Sequence, residues 1–412
     1  MGEDFSAFKA LAGGVAALLI VTMVAPEVTG GQFDPLRLSK KKGRSVDPAP
    51  TTTTTTTTDG SLSGTTTTTT STTTNSFYTE ETMVPSNFDI NTELLSATIP
   101  GSAAPDVVGA FRFICNAGQL RYDDPIVFPG QPGKSHLHQF YGNTTADAYS
   151  TYASLRGAGS STCMSPLNRS AYWMPAMLNG RGSVVRPDFV AIYYKRRPIT
   201  DPKCSLTSGD PQAEGNCVPL PNGLKFVFGY NMLDPAKTPT GSLYFNCQGT
   251  GAVPGTYPDL VTAAKNCPTG AQIGAVIKAP DCWDGKNLDS PDHRSHVAYG
   301  SYGSWGYYKC PTTHPYVIPA FTMGVWFTQA SGETYSFVSD HMDTSPTHKR
   351  GDTFHADFFM AWDPAVHDLW EKNCLDKMLN CSAGVLGNGQ QMKQSWPHTW
   401  TATPRLVDLP TT

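Results

Sequence analysis

Short segments of alternating or β-branched and aromatic residues recur along the chain, and this pattern predicts strands. The segments are separated by Gly, Pro, Asn and Asp and cover residues 111–115, 184–194, 224–230, 243–247, 316–328, 335–338 and 353–361. Their spacing suits an antiparallel arrangement better than repeated βαβ units. We therefore predict a mainly β domain, an antiparallel β-sandwich or jelly roll with long loops and few helices.

One later segment has the period of a helix instead. Asp363 can cap its amino terminus, and Pro364 suits the first helical position. Apolar residues then follow on one face, namely Val366, Leu369, Trp370, Cys374 and Met378. We expect this helix to pack on the sheet and to end near Gly384.

The amino-terminal part of the chain has a different composition. Residues 51–58 and 65–70 are unbroken threonine, which cannot bury a core. The uncharged stretch from Ala10 to Ala25 is shorter than the ~20 residues that a membrane-spanning helix needs, which favours a signal peptide over a retained anchor. The predicted organisation is a signal peptide or anchor over 1–30, a Thr-rich disordered linker over 31–84 and a globular domain over 85–405.

Cysteine usage indicates where the domain works. All 10 cysteines lie beyond residue 100, scattered singly, and no CxxC pair occurs. This pattern predicts up to five disulfides in an oxidising compartment, and therefore a secreted, extracellular or cell-wall-associated protein. The formal net charge of −4 offers no basic surplus, so we expect no nucleic-acid partner. We expect contact with a membrane only through the amino-terminal segment, if it is not cleaved.

Histidines and carboxylates form the main candidate for chemistry. His136 and His138 are two residues apart, as are His355 and Asp357, so in a strand each pair shares one face. Neutral imidazoles beside carboxylates bind divalent metals, which makes His136, His138 and His355 candidate ligands of zinc or another divalent ion. Alternatively, these groups act as acid and base on a glycosidic bond or on the proton beside a uronate carboxyl. The candidate catalytic residues are Asp124, His136, His138, Asp292, His296, His355 and Asp357. A third interpretation is that the histidines only fix loops by hydrogen bonds.

Aromatic residues provide a second functional indication. Flat apolar rings with polar edges pack on sugar rings, so aromatic residues near the histidines are candidate glycan contacts. The candidates are Tyr172, Trp173, Trp283, Tyr302 and Trp305. The alternative for each of them is core packing.

Several of these motifs, taken in order, resemble a known family. They are DPIV at 124–127, HLHQF at 136–140, GN at 142–143, YWMP at 172–175, FNC at 245–247, CWDG at 282–285, DHRSH at 292–296, CP at 310–311 and HADF at 355–358, preceded by Phe113 and Cys115. Together they cover roughly residues 110 to 375 and resemble domain-of-unknown-function family 1996. The resemblance implies a secreted protein of fungal or bacterial type. Because fungal relatives are often joined to small wall-binding modules, it also implies a polysaccharide partner, but no particular reaction.

The sequence therefore predicts an exported domain that binds and cleaves cell-wall or extracellular polysaccharide through its His/Asp cluster, as a hydrolase or a lyase. Two alternatives stay open. One is a non-catalytic wall or surface protein, and the other is a metal-dependent esterase or phosphoesterase. A divalent metal ion is the candidate cofactor.

Overall fold

The computed structural model describes residues 78–304, 306–344, 349–394 and 404–411. The predicted signal peptide or anchor lies outside the described residues, and so does most of the predicted linker. The described chain is rich in strands and poor in helices, which confirms the predicted fold class.

The described strands are short and joined by many turns. In chain order they are β1 Leu94–Ser96, β2 Gly109–Cys115, β3 Leu120–Arg121, β4 His138–Gly142, β5 Ala171–Pro175, β6 Met177–Leu178, β7 Ser183–Val185, β8 Phe189–Arg196, β9 Asn216–Cys217, β10 Lys225–Gly229, β11 Leu243–Gln248, β12 Gln272–Lys278, β13 Cys282–Trp283, β14 Val297–Ala298, β15 Tyr316–Val317, β16 Ala320–Thr328, β17 Ser336–Phe337, β18 His355–Phe359, β19 Asn380–Cys381, β20 Gln390–Met392 and β21 Leu406–Asp408. The described α-helices are α1 Tyr152–Gly157, α2 Leu260–Lys265 and α3 Pro364–Trp370. Single turns of 3-10 helix cover Ile90–Glu93, Pro202–Cys204, Pro235–Lys237 and Val338–His341, and Glu371–Leu375 forms a π-helical turn.

Two larger sheets form the body of the domain. One has five strands in the order β10-β18-β5-β4-β3, and the other has six in the order β11-β12-β16-β8-β2-β19. Their pairs are antiparallel except that β19 runs parallel to β2. Smaller sheets have the orders β1-β20, β14-β13-β15-β9 and β17-β6-β7-β21.

The two large sheets pack face to face, as expected of a sandwich. On the inner face of the five-stranded sheet, Tyr172 and Phe358 stack on Phe321 of the six-stranded sheet, with ring centroids 5.5 and 4.9 Å apart. The hydroxyls of Tyr172 and Tyr194 also meet between the sheets, at 3.0 Å. The main core therefore lies between these layers.

The outer face of the five-stranded sheet carries the alternate residues and is also covered. Phe140 and Trp173 stack there at 5.2 Å between ring centroids, and they join a second buried cluster with Ile126 and two residues of α1, Tyr152 and Leu155. Since this face is shielded by α1 and the loop around Ile126, polar groups on it are removed from bulk water.

Two of the predicted strands are interrupted. Segment 184–194 divides into β7 and β8 around Pro187, and segment 316–328 divides into β15 and β16 around Pro319. Proline has no N–H to donate to a ladder, so each break falls where pairing must stop. The remaining predicted segments each contain a strand.

The predicted helix begins as expected but ends early. The Asp363 side chain accepts hydrogen bonds from the amides of Ala365 and Val366 at 3.1 and 3.4 Å. The helix does not extend to the vicinity of Gly384, because the chain turns at Met378, where φ is 51°. This turn brings β19 alongside β2 in the six-stranded sheet.

Five disulfides close loops throughout the domain, and all 10 cysteines are used. The pairs are Cys115–Cys163, Cys204–Cys217, Cys247–Cys267, Cys282–Cys310 and Cys374–Cys381. This confirms the disulfide prediction and is typical of an extracellular protein. Within the described part of the chain, no helix is long and apolar enough to cross a membrane.

Candidate metal-binding site

Three histidines converge on the outer face of the five-stranded sheet. His138 begins β4, His355 begins β18, and His136 lies in the loop just before β4. Their candidate ligand nitrogens all lie within 4.8 Å of one another. The ring centroid of His136 is 4.2 Å from that of His138 and 5.2 Å from that of His355. The structure thus brings together the three residues that the sequence proposed as metal ligands.

Backbone carbonyls orient two of the rings. His138 Nδ1 lies 3.0 Å from the carbonyl of Asp123, and His355 Nδ1 lies 2.9 Å from that of Thr353. Because a carbonyl only accepts, each Nδ1 carries the proton and each Nε2 keeps its lone pair. The buried Nε2 atoms of His136 and His138 have no hydrogen-bond partner among the described residues. This is the arrangement of metal-ligating histidines, whose second nitrogen donates to a carbonyl or carboxylate.

Burial also fixes the protonation state of the cluster. It lowers the pKa of His136 and His355 well below the ordinary histidine value, and the neighbouring imidazoles lower both further. Burial likewise lowers the pKa of His138 to about 3. All three rings are therefore neutral near pH 7, and the neutral ring is the form that binds a metal. Three histidines with an open fourth position are a known ligand set of catalytic zinc.

Two buried carboxyl groups lie beside the histidines. Asp357 is two residues beyond His355 on the same face of β18, and neither of its oxygens has a hydrogen-bond partner within the described chain. Burial raises the pKa of Asp357 well above its usual range, and the charge of Asp124 raises it further. The Asp124 carboxylate accepts from the amides of Ile126 and Val127 at 2.8 and 2.9 Å. The Asp124 carboxyl group is thus held by hydrogen-bond donors, whereas the Asp357 carboxyl group has none within the described chain.

A loop that crosses β10 adds two residues that the sequence analysis did not select. The amide of Val227 donates to the carbonyl of His293 at 2.9 Å, and Val227 pairs with Asp357 in the β10–β18 ladder. The next residue, Arg294, is in electrostatic range of Asp357, because each shifts the pKa of the other. His293 Nδ1 lies 2.8 Å from Asp289. The four-residue spacing of this Asp-His pair was the available sequence indication.

Two predicted catalytic residues of the same loop, Asp292 and His296, are held by hydrogen bonds that organise the loop. Asp292 Oδ1 accepts from the hydroxyl of Ser290 and from the amides of Arg294 and Ser295, at 2.8, 3.1 and 2.8 Å, which closes the turn. Both ring nitrogens of His296 are engaged, one with the Ser290 hydroxyl at 2.8 Å and the other with the Lys225 carbonyl at 3.0 Å. Neither residue belongs to the histidine cluster, so the structure does not bring Asp292 and His296 together with the three candidate metal ligands.

The predicted sugar-binding aromatic residues do not form one surface. Tyr172 points into the core, because strand alternation places it opposite Trp173. Trp283 is fully buried and donates to the Asn287 carbonyl at 2.7 Å. Trp173 adjoins the cluster through its pairing with Asp357, but it is also buried. Tyr302 is 63% exposed and belongs to another loop, and Trp305 lies outside the described residues.

The fold and the site together define a disulfide-linked antiparallel β-sandwich with a buried histidine cluster on the outer face of one sheet. A family model described as "Domain of unknown function (DUF1996)" matches residues 124–362, which is more than half of the 412 residues. The chain therefore belongs to the DUF1996 family. The matched segment begins at Asp124 and contains all three histidines of the cluster. No curated protein and no solved structure matches the chain significantly.

Proposed function

We propose that this chain is an extracellular metal-dependent enzyme that binds and cleaves polysaccharide. The observation that carries the proposal is the convergence of His136, His138 and His355, together with the buried Nε2 atoms of His136 and His138, which no hydrogen-bond donor of the described chain occupies. Their interpretation as simple loop fasteners is less satisfactory, because a buried polar atom without a partner costs about 1–3 kcal/mol. The disulfides support action outside the cell, where wall and matrix polysaccharides are the abundant polymers.

The residues around the cluster suit cleavage of a glycosidic bond. The three histidines would hold the ion, and a bound divalent ion supplies Lewis-acid activation of an oxygen. Cleavage also needs a group that delivers a proton to the leaving oxygen and a group that accepts one. Asp357 is available for the first role because its oxygens are unoccupied, whereas the Asp124 carboxyl group accepts from two amides, which favour its ionised form against the rise in its pKa that burial causes. Different surroundings for two carboxyl groups are the usual basis of an acid and base pair.

The test is metal analysis combined with product analysis on the full-length, oxidised chain. We expect about one divalent transition metal per chain, and fragments from at least one polysaccharide in a panel of neutral and uronic polymers. Fragments should disappear with chelator and return with metal. His355→Ala should abolish both metal binding and cleavage. The matched control is His296→Ala, which removes a loop-fixing histidine and should leave the metal content unchanged. A folded chain with no metal and no fragments would refute the proposal.

A metal-dependent esterase or phosphoesterase is the second candidate. It is favoured by the shortage of exposed rings at the site, since the one candidate aromatic residue that adjoins the cluster, Trp173, is buried. It uses the same histidines and predicts chelator-sensitive activity on small chromogenic esters, with no polysaccharide fragments. The two activities are separated by running both assays on the same metal-loaded preparation.

A further inference from the structure

Arg294 is held against the edge of the candidate site. Its Nη1 donates to the carbonyl of Gly229 at 3.2 Å, and its Nη2 donates to that of Tyr230 at 2.9 Å. Gly229 lies directly opposite His355 in the β10–β18 ladder, and Asp357 follows two residues further along β18. The guanidinium is therefore fixed beside the strand that carries one imidazole of the cluster and the unoccupied carboxyl group.

Arg294 lies within electrostatic range of Asp357 but lacks the direct contact that comparable arginines of the described chain make. Arg156 and Arg196 each bond a buried or partly buried carboxylate, at 2.9 and 2.7 Å. Arg112 and Arg169 instead lie over aromatic rings, 5.5 and 5.0 Å from the ring centroids. In the described ranges Arg294 has neither an ion pair nor a ring contact, although it is largely removed from water. Partly buried guanidinium groups generally pair with carboxylates or phosphates.

The loop that carries Arg294 is organised without a ligand. The Asp292 side chain accepts from the amide of Arg294 at 3.1 Å, and His293 is held in the left-handed region, with φ at 56°. His296 ties the same loop to β10 through the carbonyl of Lys225. A side chain fixed before binding loses less conformational entropy when a ligand arrives. The loop therefore presents Arg294 as a preformed cationic group.

We propose that Arg294 binds a carboxylate of the substrate, so that the polysaccharide is an acidic one that contains uronic acid residues. This inference rests on the proposed function and specifies its substrate. A guanidinium bonds a carboxylate through two parallel N–H groups, and Arg294 retains Nε–H and the second Nη hydrogens for this purpose.

The surroundings support a charged substrate over a neutral one. Neutral sugars are held mainly by stacking on exposed aromatic faces. Here Tyr172 and Trp283 lie in the core, and Trp173 is buried beneath the cluster. Among the described residues the candidate rings at the site are buried, whereas Arg294 supplies a fixed charge, which favours recognition by charge.

The experiment measures binding of uronate oligosaccharides to the full-length, metal-loaded chain by titration calorimetry. The probes are oligomers of galacturonate, of mannuronate with guluronate, and of glucuronate, each compared with the same oligomer after reduction of its carboxyl groups to alcohols. A sulfated glycan of similar length is a further arm. We expect at least one uronate series to bind about tenfold or more tightly than its reduced form, as suits the loss of a charge-assisted hydrogen-bond pair. Equal binding of both forms, binding of no uronate series, or binding of the sulfated glycan alone would overturn the proposal.

Three variants assign the effect to the residue. Arg294→Gln should lose the preference for the uronate over its reduced form and keep the metal content. Arg294→Lys should keep only part of that preference, because an ammonium group cannot form two parallel hydrogen bonds to a carboxylate. The matched control is Arg181→Gln, an exposed arginine that also donates to a backbone carbonyl, that of Gly332, and it should bind like the parent chain. If Arg294→Gln does not fold, Arg294→Lys and the reduced oligomers still decide the matter. Retained metal and cleavage of neutral polymers would refute this inference alone, whereas absence of both metal and cleavage would refute the proposed function.

Discussion

Replacing His138 with asparagine separates a metal ligand from a loop fastener. The asparagine amide nitrogen can occupy the place of Nδ1 and keep the hydrogen bond to the carbonyl of Asp123, which is 3.0 Å long in the parent chain. The variant has no counterpart of Nε2, the buried atom that has no partner in the described structure. His138→Asn therefore removes the proposed ligand and retains the contact that orients it.

The expected effect of His138→Asn on the free energy of unfolding differs between a metal ligand and a loop fastener. In metal-free protein we expect the free energy of unfolding to change by no more than about 1 kcal/mol, because lost ring contacts are offset by removal of an unpaired nitrogen. In the parent chain, metal at 100 times its Kd should add about 2.7 kcal/mol. For a domain of this size that corresponds to a rise in Tm of about 4 °C. The variant should lose this rise.

The assay is thermal unfolding of the parent chain and of His138→Asn, monitored by circular dichroism, once with chelator and once with added zinc. His296→Asn is the matched control: it disturbs a histidine whose two ring nitrogens are both hydrogen-bonded, so it should lower stability with and without metal and keep the zinc response. Absence of a zinc response in the parent chain would contradict the metal centre. A full response in His138→Asn would show that the ligand set is wrong.

Three further predictions concern the scaffold and the carboxyl group. Asp363→Ala removes both a helix cap and a buried ion pair with Arg156, which is 2.9 Å long. Its free energy of unfolding in urea should therefore fall by about 3–5 kcal/mol. Asp363→Asn keeps a capping acceptor, so its free energy of unfolding should fall by less. Asp357→Asn should abolish cleavage while raising the stability of the metal-free chain to urea at neutral pH, because the buried carboxyl group, whose pKa is raised well above its usual range, must take up a proton on folding and the amide need not. Replacing Cys115 and Cys163 with serine opens a loop with a sequence separation of 48 residues and should cost about 4 kcal/mol in guanidinium unfolding. A fall in the free energy of unfolding of less than about 1 kcal/mol in Asp363→Ala or in the double serine variant would contradict these predictions. Full cleavage activity in Asp357→Asn would contradict the role of that carboxyl group.

Two of the strands that the sequence missed, β4 and β12, are buried on both faces. Strand β12 has five consecutive buried residues with Gly274 among them, and all five residues of β4 are buried. Alternation of apolar and polar residues arises only when one face of a sheet meets water, so these strands carry no such pattern. Strands such as β8, whose burial does alternate over much of its length, were found from the sequence.

The sequence predicted only those parts of the site whose residues are close together along the chain. His355 and Asp357 share a face because neighbouring side chains in a strand alternate, and this needs no knowledge of the fold. His136 lies in the loop before β4, so alternation alone does not place its ring beside that of His138. The position of Arg294 depends on a loop docking onto β10, a strand more than 60 residues earlier in the chain, as the 65-residue separation from Gly229 shows. Such pairings are set by tertiary packing, which a single sequence does not display.

Several unpartnered polar atoms of the five-stranded sheet lie together on its outer face. Buried polar atoms without a partner among the described residues occur in the core as well, such as the hydroxyl of Tyr141 and Nε1 of Trp370, whereas Trp362 Nε1 and the hydroxyl of Tyr194 meet there at 3.3 Å. On the outer face, the free nitrogens of His136 and His138 and both oxygens of Asp357 lie in one patch without partners in the described chain. Water commonly satisfies a single buried polar atom of this kind. A group of adjacent acceptor atoms, whose rings are oriented by backbone carbonyls, costs stability unless a ligand binds to it. The local conflict with stability is therefore the strongest physical argument that this patch, and not the aromatic residues, is the centre of function.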